Sequence, residues 1–259
     1  MKKEYKNEAS KLFDRCSKNE NVMLIIYFFN IVFMILVTFD FKYESIITIL
    51  NYLLIIINII YIAVSGYNDI ILKNIAEKEL RKTMISDSFD IDITTTKKEG
   101  YYSNSVKPSI ERMGMNSFES TLYTNKITEK LIFRKLIKLL LIVIVWIMIA
   151  KETNIEIMVI ATQILFSADV LLDFIKTIYY HISVNALFND FYKIYVTEGY
   201  KNKHIPLIIQ YVIEYECLKN YCHITLPNGI FDKEEEKMKE KWNQISQNIK
   251  TSNNLKVNI

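Results

Sequence analysis

The sequence predicts an all-α polytopic membrane protein, with four transmembrane helices in two hairpins and a cytoplasmic helical region, assembled as a homo-oligomer. Three observations predict it. Hydrophobic residues make up 51% of the 259 residues although 24% are charged, so the apolar residues must be segregated along the chain. Two runs, Val22–Phe39 and Ile46–Val64, carry no charge at all. Lys and Arg gather on one side of the apolar segments, which sets their orientation in a bilayer.

Residues 1–21 form a cytoplasmic N-terminal segment containing Lys2, Lys3, Lys6, Lys11, Arg15 and Lys18. Val22–Phe39 follows and is long enough to cross a hydrocarbon core of roughly 30 Å as a helix. It lies too far along the chain, and is too aromatic, for a signal peptide, and no small-residue cleavage pattern follows it. The connector DFKYES holds only Lys42, so this turn faces outward. Ile46–Val64 completes hairpin 1, residues 22–64.

Residues 65–135 form a central cytoplasmic segment. Ile71, Ile75, Leu80 and Met84 are expected to keep one apolar helical face. ISDSFDIDITTTKKEG then breaks the pattern. After Pro108, SIERMGMNSFESTLYT predicts one or two short helices, with Ser109 as a cap and Phe118 and Leu122 on one face.

Hairpin 2 covers residues 136–175. In Leu136–Ala150 the charge-free part begins after Lys138, leaving about 18 Å of helix. Snorkelling of Lys135 and Lys138 extends it to span length. KETN separates it from Ile155–Ile175. Two apolar segments joined so tightly favour a second membrane hairpin over a buried hairpin of a soluble domain. The charge bias leaves both termini cytoplasmic.

Residues 176–259 form a cytoplasmic C-terminal helical region. Val184, Leu187, Phe188, Phe191 and Tyr195 make one stripe. Pro206 starts a second helix, with Ile209, Val212, Ile213 and Cys217 expected inward. Met238, Trp242, Ile245 and Ile249 make a third stripe, on a charged helix whose run DKEEEKMKEK reads as a solvated face. TSNNLKVNI reads as a frayed tail or edge segment.

The chemistry of enzymes is not visible in this pattern. No GxSxG, HExxH, P-loop or dinucleotide-binding glycine pattern occurs. Cys16, Cys217 and Cys222 all fall on the reducing side, where no disulfide is expected. Cys217, Cys222 and His223 match no zinc spacing. Neither catalytic nor metal-ligating residues are assigned, and no resident cofactor is expected.

Polar residues within the apolar segments carry two readings. Asn30, Asn51 and Asn58 could hydrogen-bond across packed helices. Gln163, Ser167, Asp169 and Asp173 lie on the fourth segment, the last two toward its cytoplasmic end. As pore-lining groups repeated around an oligomer, the two carboxylates would favour cations. Alternatively the hydrocarbon segment ends near Ala168 and the aspartates simply mark cytoplasmic helix.

GYYSNSVKPSIERMGMNSFESTLYTNKI, residues 100–127, resembles the central signature of a family of bacterial four-transmembrane pore-forming effectors that accompany nucleotidyltransferase-based anti-phage defence systems. The likeness rests on Gly100, Tyr101, Tyr102, Asn104, Pro108, Ser109, Ile110, Asn116, Phe118 and Glu119. LPNGIFDKEEEKMKEKWNQI is similar to the family's closing segment through Pro227, Phe231 and Trp242. The resemblance implies a multi-pass protein of the bacterial inner membrane that depolarises the infected cell as an ion channel or pore. Its regulatory ligand would be a cyclic nucleotide or short oligonucleotide made by a partner nucleotidyltransferase. Tyr101 or Tyr102 could stack on a base, Lys97, Lys98, Lys107 and Arg112 could pair with phosphate, and Asn104 or Asn116 could read base edges. Pro108, Phe118, Glu119 and Trp242 are expected to hold structure, and Tyr101 and Tyr102 could equally lock the segment against the C-terminal helices. The competing functions are a nonconducting membrane scaffold or adaptor of a nucleotide-signalling system, and a membrane enzyme with a dispersed site.

Overall fold

A computed structural model describes residues 8–38, 44–93, 102, 106–150 and 168–257. Every regular element among them is a helix. Helix α1, Glu8–Thr38, packs against α2, Glu44–Gly66. The chain does not break after α2. A π-helical stretch, Tyr67–Leu72, carries it directly into α3, Lys73–Phe89. Among the described residues this continuous Ser45–Phe89 helix is the one long and apolar enough to cross a membrane. Its 45 residues reach about 68 Å, more than twice the roughly 30 Å hydrocarbon thickness. One half can therefore cross while the other projects from the bilayer.

The expected apolar face of α3 needs correction. Leu72, Ala76 and Met84 are buried, whereas Ile71 and Ile75 are exposed. The cause is the π-helical stretch, whose i→i+5 bonding adds residues per turn and rotates the inward stripe. Helix α3 ends at Asp90, which takes a left-handed conformation (φ 54°) while its N–H bonds the Ser86 carbonyl.

Helix α4 runs unbroken from Ile110 to Ala150. The short helices expected after Pro108 and the apolar segment beginning at Leu136 are thus one element. No proline interrupts it, and Thr121 and Thr128 satisfy their hydroxyls within the helix. Thr121 Oγ1 donates to the Phe118 carbonyl at 2.8 Å, and Thr128 Oγ1 to that of Thr124 at 2.8 Å.

Helix α5, Ala168–Tyr192, continues as a π-helical stretch through Thr197. It runs antiparallel along α4. The register is fixed by Asn125–Asn185 (2.7 Å), Thr128–His181 (3.0 Å) and Lys135–Thr177 (2.8 Å). Helix α6, Ile205–Cys222, has Pro206 in its first turn and returns along α4 and α5. Helix α7, Asn228–Val257, then packs on α4. The segment read as a frayed tail is helical through Val257.

The core centres on Phe118. Its ring lies 5.3 Å from Phe188, 6.0 Å from Phe191, 5.9 Å from Tyr195 and 5.3 Å from Trp242. Burial of each such side chain is worth about 1.5–3 kcal/mol. Val184, Leu187, Phe191 and Tyr195 are buried, as are Met238, Trp242, Ile245 and Ile249. Helix α6 is rotated from its expected face. Ile208, Val212, Tyr215, Leu218 and Cys222 turn inward, while Ile213 and Cys217 are exposed. Tyr215 explains the rotation: its hydroxyl shares a buried 2.8 Å hydrogen bond with Thr124 of α4.

Candidate functional site

Residues 106–109 lead into the junction between the C-terminus of α3 and the N-terminus of α4. Pro108 turns the chain, and Ser109 caps α4 by accepting the Arg112 N–H at 3.2 Å on its hydroxyl. The Ser109 N–H reaches back to the Ser88 carbonyl at 3.1 Å. Asp87 completes the junction. Its carboxylate meets the Arg112 guanidinium at 3.2 Å and accepts from the Asn116 amide at 2.9 Å. Asn116 also donates to Ser88 Oγ at 3.1 Å, and Ser88 Oγ donates to the Met84 carbonyl at 2.7 Å. Each polar group satisfies another, which lets this knot sit partly buried without an unfavourable orphan. Arg112 Nε is the exception: it is buried and has no hydrogen-bond partner among the described residues.

This geometry separates the ligand candidates. Asn116 is fully buried, so its amide braces α3 rather than reading a base edge. Arg112 is half-buried, with its ion pair to Asp87 in place. Lys107 is exposed. Tyr102 is half-buried and packs on the Phe118 core. Tyr101, Asn104, Lys97 and Lys98 lie outside the described residues.

Beneath the junction, Gly114 sits where α4 meets Tyr195 and Ile208. A Cβ there would overlap the Tyr195 hydroxyl and come 2.6 Å from Ile208 Cγ2. The Tyr195 hydroxyl donates to the Glu111 carbonyl at 3.0 Å. Glu119 is buried and accepts a hydrogen bond from Tyr123, whose phenol is held well above its ordinary pKa by burial and then by that carboxylate. Phe118 and Trp242 are the centre of the aromatic core.

No family model, curated protein or solved structure matches this chain. Site chemistry must therefore be read from the residues themselves.

Of the pore-lining candidates, Gln163 and Ser167 lie outside the described residues, and Asp169 falls in the first turn of α5. Asp173 forms a 2.8 Å ion pair with Lys135, whose ammonium also donates to Thr177 Oγ1 at 2.8 Å. Asp173 therefore belongs to a cross-helix tie, with about half its side chain in solvent. Lys138 does not simply snorkel. Its ammonium sits 5.1 Å from the centroid of the Tyr27 ring on α1, a cation–π contact that joins α4 to α1.

A second polar cluster lies at the base of hairpin 1. Lys73 pairs with Glu20 of α1 at 3.2 Å and with Asp69 at 2.8 Å. Asn19 donates to Asn68 at 3.3 Å. Asn68 and Asp69 belong to the π-helical stretch. In this way α1 is fastened where α2 becomes α3.

Burial pushes the Cys16 and Cys222 thiols up to about 11, so both remain protonated at neutral pH. Among the described residues, no three His, Cys, Asp or Glu side chains gather to hold a metal.

Asp87, Ser88, Gly114 and Lys73 are the functional candidates absent from the sequence reading. Asp87 and Ser88 sit in ISDSFD, which reads locally only as a helix end. Gly114, inside an otherwise continuous helical pattern, was the available signal for close packing.

Proposed function

We infer that this chain is an ion channel or pore-forming effector of the bacterial inner membrane, controlled by a nucleotide signal read on the cytoplasmic side. The observation that carries the reading is the Ser45–Phe89 helix. It is apolar enough to cross a bilayer, and it runs without a break to Asp87 and Ser88 at the junction with α4. A rod of this kind transmits displacement of the junction into the membrane. Helix α4 provides a second one, from Arg112 to the apolar residues 136–150. The likeness of residues 100–127 to four-transmembrane effectors supports the same reading. In this reading a second membrane hairpin lies at 136–175, both termini are in the cytoplasm and several copies surround one pore.

The ligand in this proposal is a cyclic nucleotide or short oligonucleotide made by a partner nucleotidyltransferase. Arg112, exposed Lys107 and the tyrosines of residues 101 and 102 are its candidate contacts. A ligand acts here by differential affinity for two states of the junction. The central segment has 12 Lys or Arg against 10 Asp or Glu, a balance suited to a compact site rather than long nucleic acid.

Purified protein in planar bilayers tests the proposal. Unitary currents whose open probability changes with added cyclic nucleotides or short oligoadenylates are the expected result. A folded, oligomeric protein that carries no current across ligands and voltages would overturn it and leave the nonconducting scaffold.

A further inference from the structure

The geometry points to an aromatic collar, built from Tyr67, Phe133, Tyr179 and Tyr221, that seats the cytoplasmic bundle in the headgroup layer of an anionic bilayer. This rests on the reading that the chain crosses a membrane, and it adds a contact outside the spans. It brings the returning end of α6, a helix of the cytoplasmic region, down to the lipid surface.

The four residues come from separate helical stretches and are all strongly exposed: Tyr67 51%, Phe133 65%, Tyr179 52% and Tyr221 70%. Exposed aromatic side chains at one level are costly in water and favourable at a membrane interface, where the ring is apolar and the hydroxyl wet. Their level follows from the proposed span ends, Val64, Leu136 and Ile175. Tyr67 lies three residues beyond Val64, Phe133 three before Leu136, and Tyr179 four beyond Ile175. At 1.5 Å per residue these offsets are about 4.5–6 Å. The headgroup layer beyond each side of the hydrocarbon is about 5–7.5 Å deep. Tyr221 is held at the same level by its edge-to-face contact with Tyr179, with centroids 6.2 Å apart. Arg81 of α3 bonds Asn220 at 3.2 Å beside it.

Two features select lipid as the occupant. The collar is continuous with the exposed apolar surface of the membrane helices, through Ile59, Ile62, Ile137 and Leu172. Exposed Lys130, Arg134 and Lys176 flank that level, as expected for a surface facing anionic headgroups.

Nitroxide labels on single introduced cysteines test the collar. The full-length chain carrying Cys217→Ser, with Cys16 and Cys222 left buried, is reconstituted in phosphatidylethanolamine–phosphatidylglycerol vesicles. Labels are placed at Tyr221→Cys, Phe133→Cys, Ile56→Cys and Ile213→Cys, all exposed sites. Collision with oxygen and with a water-soluble nickel chelate gives depth. The expected order places 56 in hydrocarbon, 221 and 133 at the headgroups, and 213 in water. Labels at 221 and 133 as nickel-accessible as 213, with 56 still in hydrocarbon, would overturn the collar and leave the membrane reading standing. A water-like label at 56 would overturn both. Labels at 221 shielded from both reagents and broadened by neighbouring spins would show a second copy of the chain on this face, and would likewise overturn the collar.

Discussion

Gly114 leaves no room for a side chain. Its missing Cβ lets Tyr195 approach closely enough to donate to the Glu111 carbonyl. Gly114→Ala adds helix propensity worth about 1 kcal/mol, but overpacking typically costs about 1–3 kcal/mol. The clash wins because both neighbours are anchored: Tyr195 in the aromatic stack and Ile208 in full burial. Chemical denaturation in detergent is expected to show a net loss of stability, partly recovered in Gly114→Ala/Tyr195→Phe, which removes the nearest clashing atom. A stabilised single variant would refute the contact. The neighbouring Glu111 supplies a pH test. Burial raises its carboxyl above the ordinary carboxylate range. The native state therefore holds this proton more tightly than the unfolded chain, and stability falls as pH rises from the ordinary value through the raised one. Glu111→Gln removes that slope. The difference between wild-type and variant unfolding curves should grow from acid toward neutral pH, with the variant more stable at the neutral end. A difference that stays flat would mean the carboxyl is not perturbed.

At the scale of elements, the antiparallel α4–α5 pair organises the molecule, and its register ends at Lys135 and Asp173. With Lys135 only 2.8 Å away, the carboxylate is largely neutralised, so a ring of such pairs around a pore would carry little net charge. Under the channel reading, Lys135→Gln exposes the carboxylates and shifts the reversal potential toward cations. Asp173→Asn shifts it toward anions, and the double variant returns it near the starting value. Each single change should cost only about 0–1 kcal/mol in stability, because the pair is partly exposed. Reversal potentials that ignore all three variants would place the pair outside the permeation path. The helices themselves were legible because their stripes are periodic: Val184–Leu187–Phe191–Tyr195 and Met238–Trp242–Ile245–Ile249 both turn inward. The phases of α3 and α6 were not. A π-helical stretch has no clear signature in apolar spacing, and the face of α6 is decided by one tertiary hydrogen bond, Tyr215 to Thr124. The candidate site was half legible for a related reason. Arg112 and Asn116 stand out as chemistry in an odd segment, but Asp87 and Ser88, which hold them, are more than 20 residues away.

For the whole molecule, the decisive question is whether the α3–α4 junction is part of the gate. Two long helices leave it, and Asp87 and Arg112 are its one cross-helix ion pair among the described residues. The pair is largely shielded from water, so breaking it has a larger effect than breaking a surface pair. If the pair exists in only one of the two channel states, removing either partner shifts the equilibrium by the same free energy, and removing both shifts it no further. A hydrogen-bonded charge pair worth about 1.5–3 kcal/mol corresponds to roughly a 10- to 150-fold change in the open-to-closed ratio. Asp87→Asn, which keeps an acceptor for the Asn116 amide, Arg112→Ala and the double variant should therefore show nearly equal displacements of open probability in planar bilayers without ligand. Lys126→Ala, which breaks the exposed Lys126–Glu129 pair on the same helix, should leave it unchanged. The same recordings separate gating from recognition. A variant that alters only the junction moves open probability before ligand is added, whereas loss of a ligand contact moves only the concentration needed for half-maximal response. Additive displacements from Asp87→Asn and Arg112→Ala would show that the two residues do not act as a unit. No displacement from any of the three would show that the junction is fixed in both states and that gating is set elsewhere.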